Sequence, residues 1–208
     1  MKYNGFYFWM FEGQMKKVIE EKYGKPYADE VMKKSRVVYR ELVEKADDIG
    51  DDNPMAYNEL FALAFVAPYI ASEKKIPPET IQEVMRRALH HIKWYFGMTD
   101  LNTEKGKAAN KKVIVKYVKW YTPEKERMYP TSFKVDFVGQ PSEGACYYRI
   151  TRCPICAYAK KLGVSELMPL FCELDNVMIN LQHGVLHRKQ TIASGGEYCD
   201  YYITGNRE

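Results

Sequence analysis

Residues 146–163 read CYYRITRCPICAYAKKLG, and this stretch decides the fold. Tyr147, Tyr148, Ile150 and Thr151 are aromatic or β-branched, so Cys146 to Arg152 predicts a strand. Pro154 suits the first turn of a helix and Gly163 ends one, so Pro154 to Leu162 predicts a short helix. On the C-terminal side, Ser165 predicts a helix cap with Glu166 in the first turn, opening a longer helix to Leu181. Val185 to Ile192 and Tyr198 to Ile203 then predict a hairpin around Ala193-Ser194-Gly195-Gly196. On the N-terminal side, Ser132 to Val138 alternates and predicts a further strand, followed by a loop from Gly139 to Gly144.

Further upstream the pattern is helical. Phe6 to Lys22 and Tyr27 to Ala46 predict two helices, separated by Gly24 and Pro26 and closed by Gly50. Asp52-Asn53-Pro54 is a start signal, with a capping side chain before a proline, for a third helix reaching Ser72. Pro78 opens a fourth that extends to Phe96, and Glu104 to Tyr121 predicts a fifth. The expected class is α+β: a helical N-terminal half packed on a small antiparallel sheet with two further helices. The helical region spans 1–125 and the α+β region spans 126–208, together forming one compact domain.

Composition narrows the function classes. Hydrophobic residues make up 46% and charged residues 28%, which is ordinary for a chain with a proper core. Net charge is +4, from 31 basic and 27 acidic residues without a basic stripe, so no nucleic-acid partner is expected. The bias suits a small anionic ligand such as a carboxylate. The longest apolar run, Leu60 to Ala71, is too short to span a bilayer and contains Pro68, so no membrane association is expected. Oligomeric state is not legible. The five cysteines, Cys146, Cys153, Cys156, Cys172 and Cys199, all fall in the last third of the chain. An odd count with no leader signal predicts free thiols in the cytoplasm rather than a disulfide framework.

Cys153 stands between the strand and the helix that Pro154 opens, at the N-cap. Free N–H groups and the helix dipole there stabilise a thiolate, and Arg149 and Arg152 lie close in sequence. In the helix ending at Leu181, Leu167, Leu170, Phe171, Leu174, Met178 and Leu181 form one apolar face. Cys172 and Asp175 share an adjacent, semi-apolar flank with Met168 and Ile179. A carboxylate partly buried there needs a partner or a task. Cys199 and Asp200 alternate on the last strand, so only one of them faces a site; Cys199 shares the side of Tyr201 and Ile203. Arg152 and Arg188 border the expected site, and either fits a substrate carboxylate. His90 and His91 read as structural, and His187 is a minor candidate for pairing with a thiolate.

Two simpler readings fit less well. Cys153-Pro154-Ile155-Cys156 matches the C-P-x-C of glutaredoxins, in the right strand-to-helix context. Too little chain follows for the rest of a thioredoxin-like domain, and the one later proline, Pro169, lies in a predicted helix. Cys153, Cys156, Cys172 and Cys199 are the right residue type for zinc, but the last two form no close pair, so no metal or other cofactor is expected.

A family pattern runs through Arg149 to Tyr202: Arg152-Cys153-Pro154, Leu162-Gly163, Glu166-Leu167, Cys172-Glu173-x-Asp175, Arg188-x-Gln190-Thr191-Ile192, Gly195, and Cys199-Asp200-Tyr201. In that order and spacing the chain resembles the L-2-amino-thiazoline-4-carboxylic acid hydrolase family. Cys156, Lys189 and Tyr202 depart from the pattern. The resemblance implies a hydrolase acting on a small-molecule substrate, opening a cyclic amidine C–N or C–S bond of a thiazoline-type carboxylate to a carbamoyl-cysteine-type product. It implies Cys153 as nucleophile, Asp175 as amidinium holder or general base, and Cys172 and Cys199 as assisting residues. Arg152, Arg188 and Thr191 are the substrate contacts it implies. The segment Thr191 to Tyr202 is also similar to the C-terminal turn of 4-vinyl-reductase-type ligand-binding domains. That similarity implies the alternative of a non-catalytic small-molecule-binding module; a zinc or redox cysteine protein is the third reading.

Overall fold

In the computed structural model, residues 2–138 and 146–207 are described. The loop expected at Gly139 to Gly144 lies outside them. The chain forms two compact units: Met1–Asp47 with Tyr57–His91, and Asp48–Ala56 with Ile92–Glu208. The class is α+β.

The first unit is helical. It contains α1 (Phe6–Tyr23), α2 (Lys25–Lys45), α3 (Ala56–Ala71, within this unit from Tyr57) and α4 (Pro78–His91). Gly24, at φ 84°, takes the left-handed turn that ends α1 and starts α2. Phe11, Met15, Val18 and Ile19 recur at helical spacing on α1 and are all buried, and the Phe11 ring meets Phe61 and Phe65 of α3 at 5.1 and 5.0 Å. On α4 the buried stripe is Ile81, Val84, Met85, Ala88 and Leu89. The fourth helix was expected to reach Phe96 but stops at His91. Its apolar stripe ends at Leu89, and Ile92 leaves helical geometry at φ −102°, ψ 21°. A separate turn, α5 (Lys93–Phe96), follows and buries none of its residues.

The second unit carries the sheet. Asn53 accepts a hydrogen bond from the Met55 N–H at 2.8 Å, as its start signal implies. α6 (Glu104–Trp120) is capped by Thr103, which accepts from the Gly106 N–H. α7 (Pro123–Met128) was not anticipated, although Thr122-Pro123-Glu124 holds its signal: Thr122 caps it and Pro123 opens it. β1 (Lys134–Phe137), β2 (Cys146–Arg152), β3 (Gly184–His187) and β4 (Cys199–Gly205) form one antiparallel sheet in the order β1-β2-β4-β3. α8 (Pro154–Lys161) leaves β2 directly.

α9 (Met168–Leu181) begins later than expected, after a 3-10 turn at Ser165–Leu167, and Ser165 does not cap it. Pro169 has no N–H to give the Ser165 carbonyl, which takes the Met168 N–H instead. The buried residues of α9 are Met168, Leu174 and Ile179, so the flank that carries Cys172 and Asp175 is turned inward. Leu170, Phe171, Met178 and Leu181 of the expected apolar face are only half-buried. Among the described residues no helix is long and apolar enough to cross a membrane.

Candidate functional site

Strand register fixes the site. Ile150 pairs with Cys199 and Tyr148 with Tyr201, and directly opposed residues share a face of the sheet. Tyr148, Ile150, Cys199, Tyr201 and Ile203 therefore lie on one face, and the Tyr148 and Tyr201 rings stack at 4.6 Å. α9 packs over this face, against β3 and the turn before β4. Cys172 and Asp175 thus meet Cys199 and Tyr201.

Asp175 is anchored from two sides. Its Oδ2 accepts from Arg188 Nη2 at 2.8 Å and from the Tyr201 hydroxyl at 2.9 Å. Arg188 also donates through Nη1 to the Cys172 carbonyl at 2.9 Å and through Nε to the Asp200 carbonyl at 3.2 Å. Its guanidinium lies 4.2 Å from the centre of the Tyr201 ring. Burial opposes the charge of Arg188, but Tyr201 and Asp175 outweigh it and hold the side chain firmly charged. Burial pushes the Tyr201 hydroxyl well up, so it remains a neutral donor. Each guanidinium nitrogen of Arg188 is thus committed to the protein. The residue expected to hold a substrate carboxylate chiefly organises the site, with N–H hydrogens left over on its terminal nitrogens.

The cysteines form two pairs. Cys172 and Cys199 share a hydrogen bond, and this contact lowers the Cys199 thiol to about 7 against burial. The Ile192 N–H, 3.2 Å from Cys199 Sγ, and the Arg188 charge act in the same direction. The same bond, with burial, pushes Cys172 up. Cys153 shares a hydrogen bond with Cys156 in the next turn, and that contact, with burial, pushes Cys153 well above an ordinary thiol. Cys153 does sit at the N-cap of α8, and the Cys156 N–H does draw its thiol down. At Cys153 the Cys156 sulfur and burial act against the N-cap and outweigh it. The Ile192 N–H, received at 3.2 Å, and the nearby Arg188 charge both favour a thiolate at Cys199. Among the described residues no group of three or more His, Cys, Asp or Glu side chains is placed to hold a metal ion.

The remaining candidates hold the frame. Thr191, buried, accepts from the Ser194 N–H at 3.1 Å and donates to the Ser194 hydroxyl. It caps the 3-10 turn Ile192–Ser194, which ends on Gly195 at φ 86° and presents the Ile192 N–H to Cys199. Asp200 is buried and receives the Lys189 and Gln190 N–H groups at 2.9–3.1 Å, so it folds the β3–β4 connection back over β4. Arg152 donates to the Ser132 carbonyl at 2.7 Å and to the Tyr121 hydroxyl, and it ties β2 to the segment before β1. These bonds give Arg152 and Thr191 a part in the frame of the sheet and its turn. His187 pairs with Thr204 at 3.0 Å and rests on Tyr202, on the other face from Cys199. Tyr201 and Tyr148 were not named from the sequence as site residues. The period of two along β4, which places Tyr201 beside Cys199, was the signal that could have found Tyr201.

The family model of L-2-amino-thiazoline-4-carboxylic acid hydrolases matches residues 57–203, well over half the chain. No curated protein and no solved structure matches it. The matched span contains the paired cysteines, Asp175 and Arg188, and the chain belongs to the L-2-amino-thiazoline-4-carboxylic acid hydrolase family.

Proposed function

We propose that the protein is a hydrolase that opens a cyclic amidine carboxylate of the L-2-amino-thiazoline-4-carboxylate type, with Cys199 as nucleophile. The observation that carries this reading is the Cys199 sulfur, which accepts the Ile192 N–H at 3.2 Å and pairs with Cys172, whose carbonyl is held by the same Arg188 that binds Asp175; these neighbours lower its thiol. A thiolate formed near neutral pH attacks carbon most readily where its neighbours already stabilise charge. Family membership supports this substrate class.

The thiolate adds to the ring carbon between nitrogen and sulfur. The ring C–S bond breaks, and its sulfur leaves with the electron pair and takes a proton. The resulting isothiourea on Cys199 then takes up water, and Cys199 leaves to give the carbamoyl-cysteine product. Both hydrogen bonds that Asp175 receives from Arg188 and Tyr201 land on Oδ2, so Oδ1 is available to the amidinium or to the attacking water. The leftover N–H groups of Arg188 suit the substrate carboxylate side-on. Incubation with L-2-amino-thiazoline-4-carboxylate should release a carbamoylated cysteine and one new free thiol per turnover. Binding of the compound without any release of thiol would replace this reading with a non-catalytic ligand-binding module.

A further inference from the structure

The same sulfur pair has a second chemistry. Cys172, in the middle of α9, and Cys199, at the start of β4, come from distant parts of the chain, yet one sulfur donates to the other. Both thiols are free. Cys199 is held from behind by the Ile192 N–H at 3.2 Å, and the Cys172 carbonyl is held by Arg188 at 2.9 Å. The Cys199 sulfur and the Cys172 backbone are therefore both held. Cys172 is half-buried, so the pair is not sealed from solvent.

We infer that Cys172 and Cys199 form an oxidative modification site, in which a hydroperoxide converts the thiol pair into a reversible disulfide. The Cys199 thiolate attacks the distal peroxide oxygen; the O–O bond breaks, the alcohol or water leaves with one proton, and Cys199 becomes a sulfenic acid. The Cys172 thiol then attacks that sulfur, an S–S bond forms, and the hydroxyl leaves as water. Two electrons pass from the sulfur pair to the peroxide, and a small dithiol returns them. Of the two sulfurs, Cys199 receives the Ile192 N–H at 3.2 Å, which stabilises a thiolate there and suits it to react first, with Cys172 as the resolving partner. Cys153 and Cys156 form a second hydrogen-bonded pair close enough for Cys153 to sense the Cys199 charge. They are the natural competitors for oxidation.

The consequence for the proposed reaction rests on Cys199 being its nucleophile: the disulfide removes that nucleophile and stops turnover. The oxidation itself can be read without any substrate. The full chain is treated with hydrogen peroxide, alkylated, and digested with trypsin without reduction. A Cys172–Cys199 disulfide joins the peptides 162–188 and 190–207, whereas a Cys153–Cys156 disulfide stays within the single peptide 153–160. The joined peptides are expected first, at the lowest peroxide, and dithiothreitol should separate them. In Cys172→Ser and Cys172→Ala the join should be lost and a dimedone adduct should appear on Cys199. Oxidation confined to Cys153 and Cys156, with Cys172 and Cys199 still alkylated, would overturn the inference. A disulfide that forms while thiazoline hydrolysis continues unchanged would leave the modification site standing and remove Cys199 from the proposed mechanism.

Discussion

Arg188 and Asp175 meet at 2.8 Å between the end of β3 and the middle of α9, with the Arg188 side chain only 9% exposed. This ion pair joins the helix that carries Cys172 to the connection that leads to Cys199. Arg188→Met should remove the Cys172 carbonyl, Asp175 and Asp200 carbonyl contacts together. Breaking one side of a buried pair costs about 3 kcal/mol, and partial hydration of Asp175 keeps the loss near that lower end. Urea denaturation measures it. Arg188→Lys should recover part of the stability, because the charge stays while the forked geometry is lost.

Activity should rise with pH through an acid limb near 7. Below that value Cys199 holds its proton and cannot attack; above it the thiolate is present. Cys172→Ala removes the strongest influence holding the thiol down, so the limb should move toward the ordinary thiol range near ~8.5. The rate of iodoacetamide reaction at Cys199 against pH reports the same titration without substrate. An acid limb that stays in place in Cys172→Ala would show that Cys172 does not tune Cys199.

Asp200 should matter for stability rather than chemistry. Burial acts to raise its carboxyl, but the Gln190 and Lys189 N–H groups prevail and hold it low. A carboxyl that is lower in the folded than in the unfolded state stabilises the fold above its unfolded value, about 3.9, and that contribution fades as pH falls through the folded value. Asp200→Ala orphans both N–H groups and should cost about 2–4 kcal/mol. Asp200→Asn, which keeps one acceptor oxygen, should cost less. Thermal melts at neutral pH and well below pH ~3.9 measure it: the gap between wild type and Asp200→Ala should persist at neutral pH and shrink in the strong acid.

Gly184 opens β3 where α9 comes close. A Cβ there would collide with the Leu101 side chain and approach Ile179 of α9 and the Thr204 carbonyl, each at 3.0 Å. Gly184→Ala should therefore destabilise by about 1–3 kcal/mol through overpacking and displace α9 from the sheet. A matching fall in the iodoacetamide reactivity of Cys199 would show that this packing sets the sulfur pair.

The sequence was most informative where local rules act alone. β2 ran over the residues its aromatic and β-branched side chains indicated, and Gly24, Asn53 and Pro154 marked their boundaries because caps and backbone limits are local. The inward flank of α9 was less legible: the helix face was judged by hydrophobicity, whereas Arg188 and Tyr201 give Asp175 reason to turn in. The Cys172–Cys199 pair was not legible, since it depends on α9 lying over the face that β4 presents. Cys153 shows the opposite failure. Its place at the helix N-terminus was read correctly, but one neighbouring sulfur outweighs the N–H groups there. The framing roles of Thr191 and Asp200 were not legible, because a turn that folds back on a strand uses the same hydroxyls and carboxylates as a binding site.

The most direct test of the central claim compares Cys199→Ser with Cys153→Ser in the hydrolysis of L-2-amino-thiazoline-4-carboxylate, with folding checked by thermal melting. Cys199 as nucleophile predicts a fall in kcat of about a thousandfold or more in Cys199→Ser, and a change within about tenfold in Cys153→Ser, whose thiol is held protonated. Near-normal turnover by a folded Cys199→Ser protein, or a collapse confined to Cys153→Ser, would contradict it.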